Sequence, residues 1–251
     1  MKPECAALIE REFRNCVINT IERLEAEDTH RPFHAALLSE TALFWSRFER
    51  SFSTSFGQRV VEQISKAAAI SGGAEDAQTQ RATPVTLSLA QLNGIEDHIK
   101  DLRNKSSGKV AGWEADVRFL SGIRASADKQ DLRVISDLWW KKDGIDHFMS
   151  IKTVKPNIDQ TAEAKRDLLK LKLAYPDAKV YYGLYYNPYG EHKSDYAWSP
   201  PKKLFNFGSD ESVLIGKEYW DTLGGKGFYE ELLAIASKTG EETREQVGLL
   251  R

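Results

Sequence analysis

Residues 133–157 carry the sequence R-V-I-S-D-L-W-W-K-K-D-G-I-D-H-F-M-S-I-K-T-V-K-P-N. Two apolar segments, 134–140 and 145–153, flank the dipeptide Asp143-Gly144. Asp-Gly between such segments predicts a β-hairpin with a type I′ turn, because both central residues of that turn need a positive φ. This hairpin is the stretch from which the rest of the fold can be placed.

Three polar side chains are expected together at the far end of the hairpin. A two-residue loop places Asp137 directly opposite Ser150, with Lys152 on the same face as Ser150, whereas a longer loop would shift this register. A carboxylate suits a hard metal ion, and a nearby lysine can orient or deprotonate a water and stabilise charge on phosphorus. This pattern favours metal-dependent phosphodiester hydrolysis, although an ordinary hairpin with charges at its solvated edge would show the same residues.

The motif resembles a known nuclease core. Asp137, a turn and Ser150-Ile151-Lys152 are similar to the PD-(D/E)XK nucleases, and S-I-K-T-V-K-P-N-I-D-Q resembles the TdeIII-type type II restriction endonucleases. Three more segments carry the second resemblance, namely R-P-F-H-A-A-L-L at 31–38, F-E-R-S-F-S-T-S-F-G-Q at 48–58 and V-L-I-G-K-E-Y-W at 213–220. The resemblance implies an α/β (α+β) fold with a mixed β-sheet flanked by helices and an N-terminal helical region.

The same resemblance implies a function. We expect an Mg²⁺-dependent type II restriction endonuclease that cuts both strands of double-stranded DNA at a short palindrome related to GGNCC. Cleavage of a palindrome implies a two-fold homodimer. Two alternatives remain open, a structure-specific repair or recombination nuclease and a catalytically weakened DNA-binding protein on the same fold.

One position departs from the family pattern. Most PD-(D/E)XK nucleases have Asp or Glu where this chain has Ser150, and a hard dication needs more than one carboxylate. We expect Glu163, on the helix after the hairpin, to supply the second carboxylate. Glu62, on a helix before the core sheet, is the alternative donor, and a weakened or inactive site is the third possibility. The family also uses a backbone carbonyl, here that of Ile151, as a metal ligand.

Candidate DNA contacts flank the motif on both sides. Ser53 and Ser55 are expected at the start of a helix, where hydroxyl and N–H groups bind phosphate, and Arg50 precedes them. Lys155 and Asn157 follow the hairpin, and Asn157 is also a candidate helix cap. Lysines on the following helix, including Lys165, are read as a solvated basic face.

Composition limits the other possibilities. The chain has 251 residues, 35 Lys+Arg against 37 Asp+Glu and a net charge of −2, so a DNA-binding surface requires a local concentration of cations. The sequence has no apolar run of membrane-spanning length and no signal-peptide pattern. We therefore expect a cytoplasmic protein without a membrane partner. Cys5 and Cys16 lack zinc-site spacing and are expected as buried thiols.

Periodicity gives the order of the elements. We expect a single endonuclease domain over residues 1–251, with helices at 1–70 forming the dimer face and the catalytic core sheet at 110–220. Within it, the small and polar segment 71–84 is expected as a loop that orders on DNA, and 112–124 has strand character. The remaining expected elements are helices at 3–27, 33–48, 55–69, 88–104, 158–174 and 228–238 and strands at 178–186 and 212–215.

Overall fold

The computed structural model describes residues 1–26, 30–104 and 108–248. Its helices and strands, in chain order, are α1 (Pro3–Ala26), α2 (Pro32–Leu37), α3 (Glu40–Ser55), a π-helical turn (Phe56–Val60), α4 (Val61–Ser71), β1 (Asp76–Ser88), α5 (Leu89–Arg103), α6 (Trp113–Ser121), β2 (Lys129–Lys142), β3 (Ile145–Lys152), α7 (Ile158–Ala174), β4 (Lys179–Leu184), a 3₁₀ turn (Lys193–Asp195), α8 (Ser199–Lys202), β5 (Val213–Ile215), α9 (Lys217–Gly224) and α10 (Phe228–Gly248).

The strands form one mixed five-stranded sheet in the order β1-β2-β3-β4-β5. Strands β1, β2 and β3 pair antiparallel, whereas β3, β4 and β5 pair parallel. Strand β3 therefore joins the antiparallel half to the parallel half, and α7 makes the crossover between the parallel strands β3 and β4. This arrangement confirms the expected mixed sheet flanked by helices.

Helices cover both faces of the sheet. Trp139 packs into a core with residues of α5, α6 and α7, whereas the neighbouring Trp140 packs into a core with residues of α1, α4, α9 and α10. Side chains of successive strand residues point to opposite faces, so the Trp-Trp pair contributes one indole to each core. The hairpin is consequently held between two helical layers.

Helix α3 differs from the helices that form these cores. Every residue of α3 is at least partly exposed, although the helix carries the aromatic residues Phe44, Trp45, Phe48 and Phe52. The π-helical turn joins α3 to α4, which buries Val61, Ile64 and several small residues against the sheet. Helix α4 is therefore fixed in the core, and α3 extends from it along the surface.

Several expected elements are confirmed and others are wrong. The expected loop at 71–84 is largely β1, so the sheet begins at residue 76 and not at 110, and the expected strand at 112–124 is α6. The helices at 3–27, 88–104 and 158–174 are confirmed, as are the strands at 178–186 and 212–215. The C-terminal helix is longer than expected and reaches Gly248.

Lys165 is not part of a solvated face. Its side chain is 0% exposed, and its ammonium donates hydrogen bonds to the Asp116 carboxylate and to the Leu204 carbonyl. Asp116 also pairs with His98 at 2.8 Å. Burial raises the pKa of Asp116, but the His98 hydrogen bond and the Lys165 charge outweigh that effect and leave the pKa below its usual value. Lys165 and Asp116 therefore form a buried ion pair in the core beneath α7.

Two further sequence expectations concern exposure and membranes. Cys5 and Cys16 are both buried free thiols, as expected. Across residues 1–26, 30–104 and 108–248, no helix combines the length and the apolar character that crossing a membrane requires.

Candidate active site

The hairpin has the predicted turn and register. Asp143 and Gly144 have φ values of 52° and 72°, as a type I′ turn requires. The β2–β3 ladder pairs Lys142 with Ile145 at the turn and Leu138 with Met149 at its other end. The two-residue loop is therefore confirmed.

Asp137 and Ser150 face each other one step beyond the last paired residues of the ladder. The Asp137 carboxylate Oδ2 accepts a hydrogen bond from the Ile151 backbone N–H at 2.6 Å. The Ser150 hydroxyl donates to the same oxygen at 3.2 Å. The aspartate thus takes part in a local network at the point where the two strands separate, as the register predicted.

Lys152 completes this group. Its ammonium Nζ lies 3.5 Å from Asp137 Oδ2, and the Lys152 and Asp137 side chains are 23% and 21% exposed. Strand β3 holds Lys152 in place by continuing its parallel pairing with β4 as far as Leu184. Both charged groups are therefore partly shielded from water yet open to a ligand, a setting in which electrostatic interactions are strengthened.

Glu62 is the second carboxylate that the structure brings to Asp137. Helix α4 packs against β1 and β2 and presents Glu62 to the hairpin. The Gln80 amide Nε2 donates to Glu62 Oε1 at 2.8 Å and to Asp137 Oδ1 at 3.3 Å, and so connects the two acids. Sequence reasoning missed Gln80, because the β1 segment was expected to be a loop.

The electrostatics of Glu62 reflect this position. Burial raises the pKa of its carboxyl, the hydrogen bond from Gln80 lowers it, the charge of Asp137 raises it and the charge of Lys152 lowers it. The net direction is upward. The pKa of Glu62 therefore depends on the charges of Asp137 and Lys152, because Glu62 lies close to both.

Glu163 lies elsewhere. It is exposed on α7, between Asp159 and Asp167 on successive turns of one face. With 3.6 residues per turn, that face is opposite the buried residues Thr161 and Lys165, which pack toward the sheet. The structure therefore does not bring Glu163 to Asp137, and the expected relocation of the acid to Glu163 is unsupported, whereas the alternative donor Glu62 is adjacent.

The donor set fits a magnesium ion. Mg²⁺ is commonly held by one or two carboxylates together with water and substrate phosphate, so Asp137 and Glu62 match its preference. Over the described ranges, clusters of three or more His, Cys, Asp or Glu side chains suited to a metal are absent. A cation bound here would therefore depend on two carboxylates, and the expected contribution of the Ile151 carbonyl stays a prediction.

The serines expected at a helix start lie in the last turn of α3, at the end opposite to its N-terminus. The N-terminal cap of α3 is Ser39, whose side chain accepts a hydrogen bond from the Ala42 N–H. Ser53 donates to the Glu49 carboxylate at 2.7 Å, and the Ser55 hydroxyl accepts from Arg23 at 2.6 Å. The helix-start rationale for phosphate binding by Ser53 and Ser55 is therefore wrong.

A cationic pocket lies beside these serines. It encloses about 450 Å³ and is lined by Arg23, Arg31, Arg47, Arg50, Ser51, Thr54 and Ser55. The Arg23 guanidinium donates to the hydroxyls of Thr20, Ser51 and Ser55. Arg50, expected as a DNA contact, is thus one of four arginines in a pocket that also presents hydroxyl groups.

The two residues expected to contact DNA after the hairpin have defined places. Asn157 is the N-cap of α7 and exchanges hydrogen bonds with Gln160 in a capping box, which confirms its structural role. Lys155 is exposed, and its ammonium lies 5.4 Å from the Tyr189 ring centroid and 5.9 Å from that of Trp198. Their contact with DNA stays a prediction.

Known proteins resemble this chain over most of its length. Residues 1–240 match the family described as "Type II restriction endonuclease, HinfI". The type II restriction enzymes HgiCII and HgiEI of Herpetosiphon aurantiacus are 27% and 29% identical to the chain over 237 and 236 residues. HgiBI of the same organism is 28% identical over 236 residues, and each of these alignments covers 92% of this chain and 84% of the relative.

Proposed function

This chain belongs to the HinfI family of type II restriction endonucleases, and on that basis we propose that it cuts both strands of double-stranded DNA at a short palindromic site with Mg²⁺. The match is to the HinfI family, and the narrower TdeIII type that the sequence resembles stays a prediction. A target related to GGNCC is part of the proposal, and it rests on that narrower resemblance. The whole chain, residues 1–251, is proposed to act as one endonuclease domain.

The observation that carries the proposal is the group of side chains around Asp137. Its carboxylate accepts the Ile151 N–H and the Ser150 hydroxyl, and it lies 3.5 Å from the Lys152 ammonium. Through the Gln80 amide it is also connected to Glu62. Asp137 and Lys152 of the hairpin, together with Glu62 of α4, are the groups that metal-assisted phosphodiester hydrolysis requires.

Each residue has a distinct proposed role. Asp137 and Glu62 would hold Mg²⁺, which supplies positive charge to stabilise the charge that develops on the reacting phosphate. Lys152 orients the attacking water, and its ammonium shares in neutralising the phosphoryl oxygens. The Ile151 N–H and the Ser150 hydroxyl fix the orientation of the Asp137 carboxylate, so that Ser150 positions the acid and does not replace it.

We further propose a homodimer in which each subunit cuts one strand. A palindrome has two-fold symmetry, and a two-fold dimer presents two equivalent sites to it. The N-terminal helical region supplies the proposed dimer face, because α2 exposes Phe33 and Leu37 at 80% and 82%. Exposed apolar side chains of this size are typical of surfaces that another protein covers.

Digestion of a plasmid of known sequence tests the function. We expect discrete fragments with Mg²⁺, the same termini on every molecule, and no cleavage in EDTA or by Asp137→Asn, which keeps the shape of the side chain but removes its charge. Sequencing of the fragment ends would give the target and the cleavage position. A smear or resection from DNA ends would instead indicate a structure-specific nuclease.

A DNA-binding assay identifies the remaining alternative, a protein that binds DNA without cutting it. If the wild-type protein shifts DNA in a gel but cuts no DNA with either Mg²⁺ or Mn²⁺, the chain is a DNA-binding protein that has lost the reaction. The Asp137→Asn variant is the matched control in that assay, because its binding without metal should equal that of the wild type.

A further inference from the structure

Gln80 has an unusual backbone in the middle of a strand. Its φ is 52°, and Gln80 and Asp143 are the non-glycine residues with a positive φ in the described part of the chain. On either side of it, β1 pairs Thr79 with Leu138 and Arg81 with Ser136, so Gln80 lies across from Asp137. A positive φ is unfavourable for residues other than glycine, and non-glycine residues that adopt it cluster at functional sites.

The Gln80 side chain occupies the space between two acids from different elements. Its single amide nitrogen donates at 2.8 Å to Glu62 of α4 and at 3.3 Å to Asp137 of β2. A hydrogen-bond donor between two carboxylates offsets their mutual repulsion, as a cation does. The amide therefore stands at the place that a shared cation would take.

A second glutamine on β1 shows that this contact is particular to Gln80. Gln78 is also exposed and lies two residues earlier on the strand. It pairs with Trp139, whose side chain packs on the sheet face that α5, α6 and α7 cover, whereas Gln80 reaches Glu62 of α4 on the other face. The Gln78 amide donates at 3.0 Å to the nearby Asp76. Both residues are exposed glutamines of β1, but the Gln80 amide joins Glu62 and Asp137 whereas the Gln78 amide bonds to Asp76.

We propose that Gln80 is a positioning residue of the active site, whose amide holds the place between Asp137 and Glu62 in the cation-free protein and is displaced when a cation binds. The inference rests on the proposed function, since it assigns the cation to that pair of carboxylates. The site would then have two states, one with the Gln80 amide between the two carboxylates and one with a cation in its place.

Replacement of the amide by a carboxylate gives the sharpest test. Gln80→Glu has nearly the same shape and would place a third acid beside the other two, so we expect Ca²⁺ to bind about tenfold more tightly, because affinity rises with ligand charge. We also expect a lower Tm in EDTA and a larger rise in Tm on adding Ca²⁺. Gln78→Glu adds the same charge and should change the Ca²⁺ dissociation constant by less than about twofold.

Removal of the side chain supplies a second, independent readout. Gln80→Gly suits the positive φ and deletes the competing donor, so Ca²⁺ should bind several-fold more tightly than to the wild type. Isothermal titration calorimetry measures the dissociation constant for all variants without DNA. Equal Ca²⁺ affinity in Gln80→Glu and Gln78→Glu would overturn the proposal, as would weaker or unchanged affinity in Gln80→Gly.

The calcium experiment is separate from cleavage. If Gln80 variants change Ca²⁺ affinity as expected while the wild type cuts no DNA, the inference holds and the proposed function fails. If the wild type cuts DNA at discrete sites but the Gln80 variants bind Ca²⁺ like the Gln78 variant, the proposed function holds and the role of Gln80 is refuted. Absence of Ca²⁺ binding by the wild type and all variants also refutes it.

Discussion

At the scale of single residues, Lys152 should separate the chemical step from DNA binding. Lys152→Ala removes the ammonium 3.5 Å from Asp137, so cleavage should fall by about 10²-fold or more, the usual effect of losing a group that acts on the reacting atoms. DNA affinity should stay within about threefold of the wild type, because many phosphate contacts share the binding energy. Single-turnover cleavage and gel-shift titration measure the two quantities.

Lys155→Ala is the matched control for that experiment. This lysine is exposed beside Tyr189 and Trp198, and it follows Lys152 closely in the chain. We expect the reverse pattern, with weaker DNA binding and an unchanged single-turnover rate at saturating protein. Near wild-type cleavage by Lys152→Ala would show that Lys152 does not act in the active site.

The choice between the two candidate glutamates is a residue-scale prediction as well. Glu62→Gln should reduce cleavage about as strongly as Asp137→Asn, on the order of 10²-fold, because each loses one of two metal-binding charges. Glu163→Gln is the control, and its rate should stay within about twofold because its side chain faces away from the sheet. A severe loss in Glu163→Gln together with a mild effect in Glu62→Gln would restore the relocation hypothesis.

The residues of one hairpin could be predicted from sequence, whereas their neighbours could not. A turn dipeptide fixes the register, and the register fixes which side chains of β2 and β3 face each other, so Asp137, Ser150 and Lys152 follow from local rules. The place of Glu62 depends on how α4 packs against the sheet. That of Gln80 depends on a pairing between distant segments, β1 and β2, for which the sequence has no local signal.

At the scale of elements, β1 and α6 show why the remaining predictions were wrong. Strand β1 is at the edge of the sheet and buries side chains sparingly, so it is rich in small and polar residues and tolerates Pro84. The V-R-F-L segment of α6 has strand propensity, yet Trp113, Asp116 and Leu120 share a buried helical face. Packing overrides propensity in such cases.

Helix α3 supports a prediction about DNA binding. Four arginines line the pocket that includes Thr54 and Ser55, and a phosphate bound there would release about one counterion. For Arg50→Ala we expect a lower DNA affinity and a shallower dependence of affinity on salt, by about 0.9 in the log–log slope. Arg124→Ala, at an exposed position after α6, is the control and should leave the slope unchanged. An unaltered slope in Arg50→Ala would show that this arginine contacts no phosphate.

At the scale of the whole molecule, both faces of the sheet are covered, yet α2 leaves Phe33 and Leu37 exposed and the aromatic side chains of α3 are only partly buried. A double variant, Phe33→Glu with Leu37→Glu, should convert the proposed dimer to a monomer, because buried charges at an interface are costly. Light scattering after size-exclusion chromatography measures the mass. Cleavage should change from double-strand cuts to single-strand nicks, as a monomer carries one active site.

Phe119→Glu is the control for the dimer variant. Phe119 is an exposed aromatic residue of α6, in the helical layer on the other face of the sheet, and its replacement should leave the mass unchanged. A wild-type protein that is monomeric at micromolar concentration and still makes double-strand cuts would contradict the proposed dimer face.

The π-helical turn at Phe56–Val60 has a consequence for how this enzyme could be altered. Such a turn holds one residue more than an α-helical turn, and each residue of an α-helix adds about 100° of rotation. Deletion of the exposed Gln58 would therefore leave Glu62 in the packed α4 but swing the unburied α3, with its arginines and aromatic rings, to another azimuth. A deletion of one residue would then change the orientation of the proposed DNA-binding helix α3 relative to the proposed active site.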